Sequence, residues 1–186
     1  MKKDKVFVIG FHKTGTSSLH MALRLLGYSV CDLKRVKDLD LSQRSWEILQ
    51  GLIDEYDAFR GQPWPLFFRH LHDFQPNSKF ILTIRPTKAW LNSVVRYFGE
   101  RTTGKREAIY GAGSPIGHEA VYAERYDRHN TDVIDFFSDK PASLLIMDLE
   151  AGAGWRELCD FLGESSRPSR AFPHRAPDRH RGANEK

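Results

Sequence analysis

Apolar residues along this chain fall into two alternating kinds of segment: short continuous runs that stop abruptly, and longer stretches where they recur every three or four positions. The first run, Val6-Phe7-Val8-Ile9, ends at Gly10 and predicts a buried strand. Leu19, Ala22, Leu23 and Leu26 then mark a helix that Gly27 stops. Tyr28 to Cys31 predicts a short strand, and Ser42 is placed to cap a helix with Trp46, Leu49 and Ile53 inside. Another strand is expected over Tyr56 to Phe59, and Phe67, Leu71 and Phe74 mark a helix after Pro65. Pro76-Asn77 turns the chain into the run Lys79 to Arg85, followed by a helix with Trp90, Leu91, Val94, Val95 and Phe98 on one side. Beyond a glycine-rich stretch lies a long helix carrying Tyr122, Tyr126, His129, Val133 and Phe137. A strand over Ala142 to Asp148 and a helix with Trp155, Leu158, Cys159 and Leu162 close the pattern. Such alternation predicts an α/β fold in three layers, α/β/α, with a central parallel sheet.

The first strand–loop–helix unit carries the most chemistry. Backbone N–H groups at a helix start lack internal partners, and the aligned peptide dipoles add positive charge there, so an anion is the natural occupant. Gly10 and Gly15 have the spacing of the ATP-type loop G-x-x-x-x-G-K-[ST], but Thr16 stands where that loop has its lysine. The lysine here is Lys13, inside the loop, between His12 and the hydroxyl residues Thr14, Thr16, Ser17 and Ser18. A second cation arrives at a neighbouring strand end. Ligands of open α/β sheets sit outside the carboxyl ends of the strands, so Arg85 is expected in the same crevice as the Lys13 loop.

The run Lys13 to Ser17 resembles the 5′-phosphosulfate-binding loop of the sulfotransferases. Arg85 followed eight residues later by Ser93 resembles the pair with which those enzymes hold the 3′-phosphate of their donor. Further landmarks extend the likeness from about Val6 to about His174: Tyr56-Asp57-Ala58-Phe59, Pro63-Trp64-Pro65, Gly117-His118-Glu119, Arg125-Tyr126, Arg128-His129-Asn130, Gly154-Trp155 and Phe172-Pro173-His174. The resemblance is to compact, soluble members of the family. It implies a P-loop nucleoside triphosphate hydrolase-like fold and 3′-phosphoadenosine-5′-phosphosulfate as donor, with no metal. By the same resemblance, His12, Lys13, Thr14, Gly15, Thr16, Ser17, Ser18, Arg85 and Ser93 bind that donor, and Lys13 stabilises the leaving group.

An acidic residue is expected from the resemblance between Phe59 and Pro63 as a proton acceptor, but Gly61 stands there, leaving Asp57 and His118 as the motif-linked candidates. Pro86 after Arg85, and Arg175-Ala176 after His174, are further departures. Pro63, Trp64 and Tyr110 are expected around the acceptor, a small molecule with a hydroxyl or amine. Tyr110 to Gly117 is expected to be a flexible loop over the crevice, since its glycines lack the G-x-G-x-x-G spacing of a dinucleotide site and no strand precedes them.

Composition narrows the picture a little. At 186 residues with 40% hydrophobic content the chain can bury one core, read as a single domain over residues 1–163 with a basic, proline-containing tail over 164–186 that is expected to be solvated and mobile. The formal charge of +4 favours anionic ligands only weakly, and no stripe of basic and stacking aromatic residues points to nucleic acid. Two isolated cysteines and a charged start without a signal-peptide pattern lead to a cytoplasmic expectation. No apolar stretch is long enough to span a bilayer. His118-Glu119 lacks a second histidine and His70 and His72 diverge on a helix, so no metal site is expected. Two other readings stay open. Leu144 to Asp148 loosely mimics the Mg²⁺-positioning strand of a P-loop kinase or NTPase, and Gly61 would suit a nucleotide-binding sensor or scaffold with weak catalysis.

Overall fold

The computed structural model describes residues 3–31, 35–36, 39 and 43–174. Ser42 and Arg175-Ala176 lie outside the described residues. The elements are β1 (Val6–Val8), α1 (Thr16–Leu25), α2 (Gln43–Glu55), β2 (Ala58–Arg60), a 3-10 turn (Trp64–Phe67), α3 (Phe68–Phe74), β3 (Lys79–Ile84), α4 (Thr87–Phe98), α5 (Gly104–Tyr110), α6 (Glu119–Phe136), β4 (Leu144–Asp148) and α7 (Trp155–Leu162).

The four strands form a parallel sheet in the order β2-β1-β3-β4, with Phe7 opposite Phe59 and Phe80, and Ile81 opposite Leu145. Successive side chains on a strand point to opposite faces, so each strand feeds two cores. Phe7, Ile9, Phe59, Phe80 and Leu82 pack with α2, the 3-10 turn, α3 and Val133 of α6. Val6, Val8, Ala58, Ile81 and Met147 pack with Leu19, Ala22 and Leu23 of α1 and Leu158 of α7. The result is the expected three-layer α/β/α arrangement. Burying each large side chain contributes about 1.5–3 kcal/mol. A third cluster, Phe11, Trp90, Val94, Ile109, Tyr110, Tyr122 and Tyr126, lies beyond the carboxyl end of β1 and underpins the loops there.

Several expectations are corrected. Tyr28 to Cys31 makes one isolated bridge, Val30 to Ala58, because the strand beside it is only three residues long. That strand is Ala58–Arg60, later than expected, since Asp57 is engaged by long-range hydrogen bonds with Ser29. Helix α5, unexpected, is capped by the Thr103 hydroxyl accepting the Arg106 N–H and ends at Gly111. The loop after it is pinned instead of loose. Arg106 Nε donates to Gly113 O at 2.9 Å, the Thr103 N–H donates to the same carbonyl at 3.1 Å, and the Tyr122 hydroxyl donates to Ala112 O at 2.9 Å. Residues 164–174 also dock on α7: Phe172 packs edge-on to Trp155, whose Nε1 donates to Arg170 O, and Arg167 pairs with Asp160. Among the described residues no helix is long and apolar enough to cross a membrane.

Candidate functional site

The carboxyl ends of β1 and β3 touch, and that contact shapes the loop between β1 and α1. A Cβ on Gly10 would lie 2.0 Å from Thr83 Oγ1 and 2.5 Å from Thr83 O, so only glycine allows this approach. Thr14 locks the inside of the loop: its hydroxyl donates to Phe11 O at 2.7 Å and lies 2.6 Å from Thr83 Oγ1, with the residue 3% exposed. Its side chain is therefore scaffold, and only its backbone N–H is offered outward. Lys13 has φ 66° and Gly15 φ 97°, two left-handed turns that curl successive N–H groups toward one concavity. At Gly15 a Cβ would also meet Leu149 Cδ1 at 2.5 Å.

The first intraloop bonds, from the Ser18 and Leu19 N–H groups to Gly15 O, close the start of α1. The N–H groups of Thr14, Gly15, Thr16 and Ser17 then have no acceptor among the described residues, and neither do the hydroxyls of Thr16 and Ser17. Ser18 is buried within the first helical turn. Such a row of donors forms a cradle chemically suited to an anion.

Two cations flank it. Lys13 Nζ sits 3.8 Å above the Tyr97 ring, a cation–π contact that steadies the ammonium. Arg85, at the end of β3, donates from Nη1 to Lys13 O at 3.2 Å and forks onto the Glu150 carboxylate through Nε, at 3.1 Å, and Nη2. Its backbone is held by the Tyr126 hydroxyl, which bonds both Arg85 N and Arg85 O at 3.0 Å. Ser93 is half-buried on α4 one turn before Tyr97, so it shares the helix face that meets Lys13. Trp90, one turn earlier, donates its Nε1 hydrogen to His12 O at 2.7 Å. Loop, β3 end and α4 are thereby brought together as expected.

His12 lies within this group. Its Nδ1 is 2.8 Å from the Tyr110 hydroxyl and its ring meets Phe98 edge-on. Burial first, then the nearby charges of Lys105, Arg106 and Lys13, lower its pKa to about 4, so the imidazole is neutral near pH 7. Tyr110 is 2% exposed and stacked on Tyr122 at 4.2 Å, a support for His12 and no open wall of an acceptor pocket. Burial pushes its phenol well above the ordinary value.

Other sequence-predicted residues are engaged in packing or turns, or stand at the surface. Asp57 precedes β2 and its carbonyl accepts the Val6 N–H, which puts it at the amino end of the sheet, opposite the loop. Partial burial pushes its carboxyl up, but hydrogen bonds from the Ser29 hydroxyl and N–H, with Lys5 and Lys3 nearby, bring it below the ordinary range. His118 stands exposed at the start of α6. Trp64 is fully buried against Phe59 and Phe7, so its indole belongs to the core, and Pro63 is buried beside it. Asp148 accepts the Glu150 and Ala151 N–H groups, a turn-forming role. Among the described residues no group of three or more His, Cys, Asp or Glu is placed to hold a metal ion.

Sequence reasoning missed Glu150, Tyr97 and the grip of Tyr126 on Arg85. The pairing of Arg85 with Glu150 spans 65 residues and has no local signal, whereas Tyr97, one helical turn from Ser93, could have been found by extending that face.

A family model described as "Sulfotransferase domain" matches residues 5–115 and 105–180. The chain is also 24% identical over 212 aligned positions to "Ava biosynthesis cluster protein M" of Aspergillus versicolor, covering 91% of this chain and 80% of that protein. A family match across nearly the whole length, on a parallel sheet with flanking helices, means that this chain belongs to the sulfotransferase domain family.

Proposed function

We propose that the chain draws a sulfuryl group from 3′-phosphoadenosine-5′-phosphosulfate and passes it to a hydroxyl or amine of a small molecule. The observation that supports this most is the row of N–H groups from Thr14 to Ser17 without acceptors, with Lys13 and Arg85 beside it. That donor set suits a ligand with two separated anionic groups. When bound, the donor supplies an activated sulfuryl group whose departure leaves negative charge on a phosphate. The N–H groups and Lys13 stabilise that charge from fixed positions, without reorganisation. Thr16 and Ser17 donate to the 5′-phosphate, and Arg85 with Ser93 hold the 3′-phosphate. The name of the Aspergillus versicolor relative, a biosynthesis cluster protein, is in keeping with a small-molecule acceptor.

The test is a thermal-shift titration with 3′,5′-diphosphoadenosine, with and without Mg²⁺, beside ATP and ADP, on wild type, Lys13→Ala and Arg85→Ala. Ligand at a hundred times its dissociation constant stabilises by about 2.7 kcal/mol. Metal-independent stabilisation that prefers the 3′-phosphorylated ligand and weakens in both variants is expected. Preference for ATP with Mg²⁺, or no response, would sink the reading. A second reading, a nucleotide-binding sensor with weak turnover, is favoured by Gly61 and by the position of Asp57 at the opposite end of the sheet. A large gain in sulfation on Gly61→Asp supports that sensor; unchanged turnover places the proton acceptor elsewhere.

A further inference from the structure

His12 and Tyr110 share one short hydrogen bond, and who donates in it decides what His12 can do. The Tyr110 hydroxyl has His12 Nδ1, 2.8 Å away, as its hydrogen-bond partner among the described residues, and Tyr110 is 2% exposed. Were Nδ1 to carry the hydrogen and donate, the phenolic hydrogen would be left in a buried site without an acceptor, a loss of about 1–3 kcal/mol. With the phenol donating, both groups are satisfied. Nδ1 is then the acceptor and the ring hydrogen of neutral His12 resides on Nε2.

Nε2 makes no hydrogen bond with any described residue, and His12 is only partly buried, so this N–H is available. The residue sits in the loop directly before Lys13, where Lys105 and Arg106 of α5 add positive charge. A neutral donor among three cations fits an anion, whereas a proton acceptor there would have to become a fourth cation.

We propose that Tyr110 is a positioning residue that donates to His12 Nδ1 and fixes the Nε2–H tautomer, and that His12 in turn donates Nε2–H to a phosphate or sulfonate oxygen in the cradle. This rests on the proposed function for the identity of the anion, but the tautomer itself does not. Tyr110 is supported in that task by its stack on Tyr122 and its edge contact with Phe11.

Long-range ¹H–¹⁵N correlation of the imidazole nitrogens tests it, with the His12 signals assigned by their loss in His12→Gln. At pH 7 wild type is expected to show Nε2 protonated and Nδ1 as an unprotonated acceptor. A protonated Nδ1 overturns the proposal. Tyr110→Phe, which keeps the ring stack, is expected to move His12 toward a mixture of tautomers; unchanged nitrogen shifts overturn the positioning role. The anion probes are 3′,5′-diphosphoadenosine and inorganic pyrophosphate. Displacement of the Nε2 signal by diphosphoadenosine, or by pyrophosphate where diphosphoadenosine does not bind, supports the donor role, and displacement by neither overturns it. Diphosphoadenosine that binds without moving Nε2 overturns this inference and leaves the proposed function standing. Pyrophosphate that moves Nε2 while diphosphoadenosine fails to bind does the reverse. His12→Ala is expected to weaken probe binding about tenfold, and His12→Gln, which keeps an N–H donor, by less. Equal losses in the two variants contradict a donor role.

Discussion

Glu150 occupies the guanidinium fork of Arg85, so any anion that needs Arg85 must displace a carboxylate first. Replacing Glu150 with Gln keeps the size and an acceptor oxygen but removes the charge. Arg85 is 18% exposed and Glu150 54%, so the pair is only half withdrawn from water and is worth less than a buried one. Its two-pronged geometry sets it at the upper end of the exposed range, about 1 kcal/mol. Relieving that competition is expected to tighten 3′,5′-diphosphoadenosine binding about fivefold, since about 1.4 kcal/mol is a tenfold change. Isothermal titration calorimetry at 0.1 M salt, where the screening length is about 10 Å, measures it. Glu150→Ala checks that the gain is electrostatic and not specific to the glutamine amide. In an Arg85→Ala background the gain should vanish. Unchanged or weaker binding in both Glu150 variants would refute the reasoning.

Gly10→Ala is expected to destabilise the protein by more than about 3 kcal/mol in urea unfolding, because the new methyl overlaps backbone as well as the Thr83 hydroxyl. Thr83→Ala should not rescue it. His129 donates Nε2–H to Ile9 O at 2.7 Å and stacks on Phe11, so His129→Ala should cost about 2–4 kcal/mol by the same assay, from an orphaned carbonyl and a cavity. Burial first, and then Arg125, lower the His129 pKa to about 4 against the hydrogen bond to Ile9, and that of His12 is also about 4. Between about pH 4 and 6.5 the unfolded chain therefore binds more protons than the folded one. The stability these two histidines contribute is complete above 6.5 and is lost as pH falls toward 4. A melting-temperature series should show that slope, and His129→Phe should flatten it.

Strands β1 and β3 were legible as apolar runs, and the cradle as a glycine-bounded turn between an apolar run and a helical period. Arg85 followed from the rule that ligands sit at the carboxyl ends of parallel strands. What sequence pattern hid was register and long-range pairing. With a strand expected over Tyr56 to Phe59, Asp57 sat inside it. The strand actually starts at Ala58, and Asp57 falls before it, at the wrong end of a parallel sheet. Gly104 to Tyr110 has a polar first turn and only a brief apolar side, so its helical character came from the Thr103 cap and from packing against α6. Burial of Tyr110 was illegible for a related reason. An aromatic before glycines reads as a loop tip, but here it slots between Phe11, Trp90 and Tyr122.

The central claim is that the Lys13 cradle and Arg85 read the two ends of one 3′-phosphorylated nucleotide. Calorimetric titration of wild type and Arg85→Ala with 3′,5′-diphosphoadenosine and with adenosine 5′-phosphate tests it most directly. Arg85→Ala is expected to weaken 3′,5′-diphosphoadenosine and to leave adenosine 5′-phosphate nearly unchanged, so that the two losses do not add, since Arg85 with Ser93 acts on the phosphate that the second ligand lacks. Additive losses, or equal affinity of wild type for the two ligands, would contradict it.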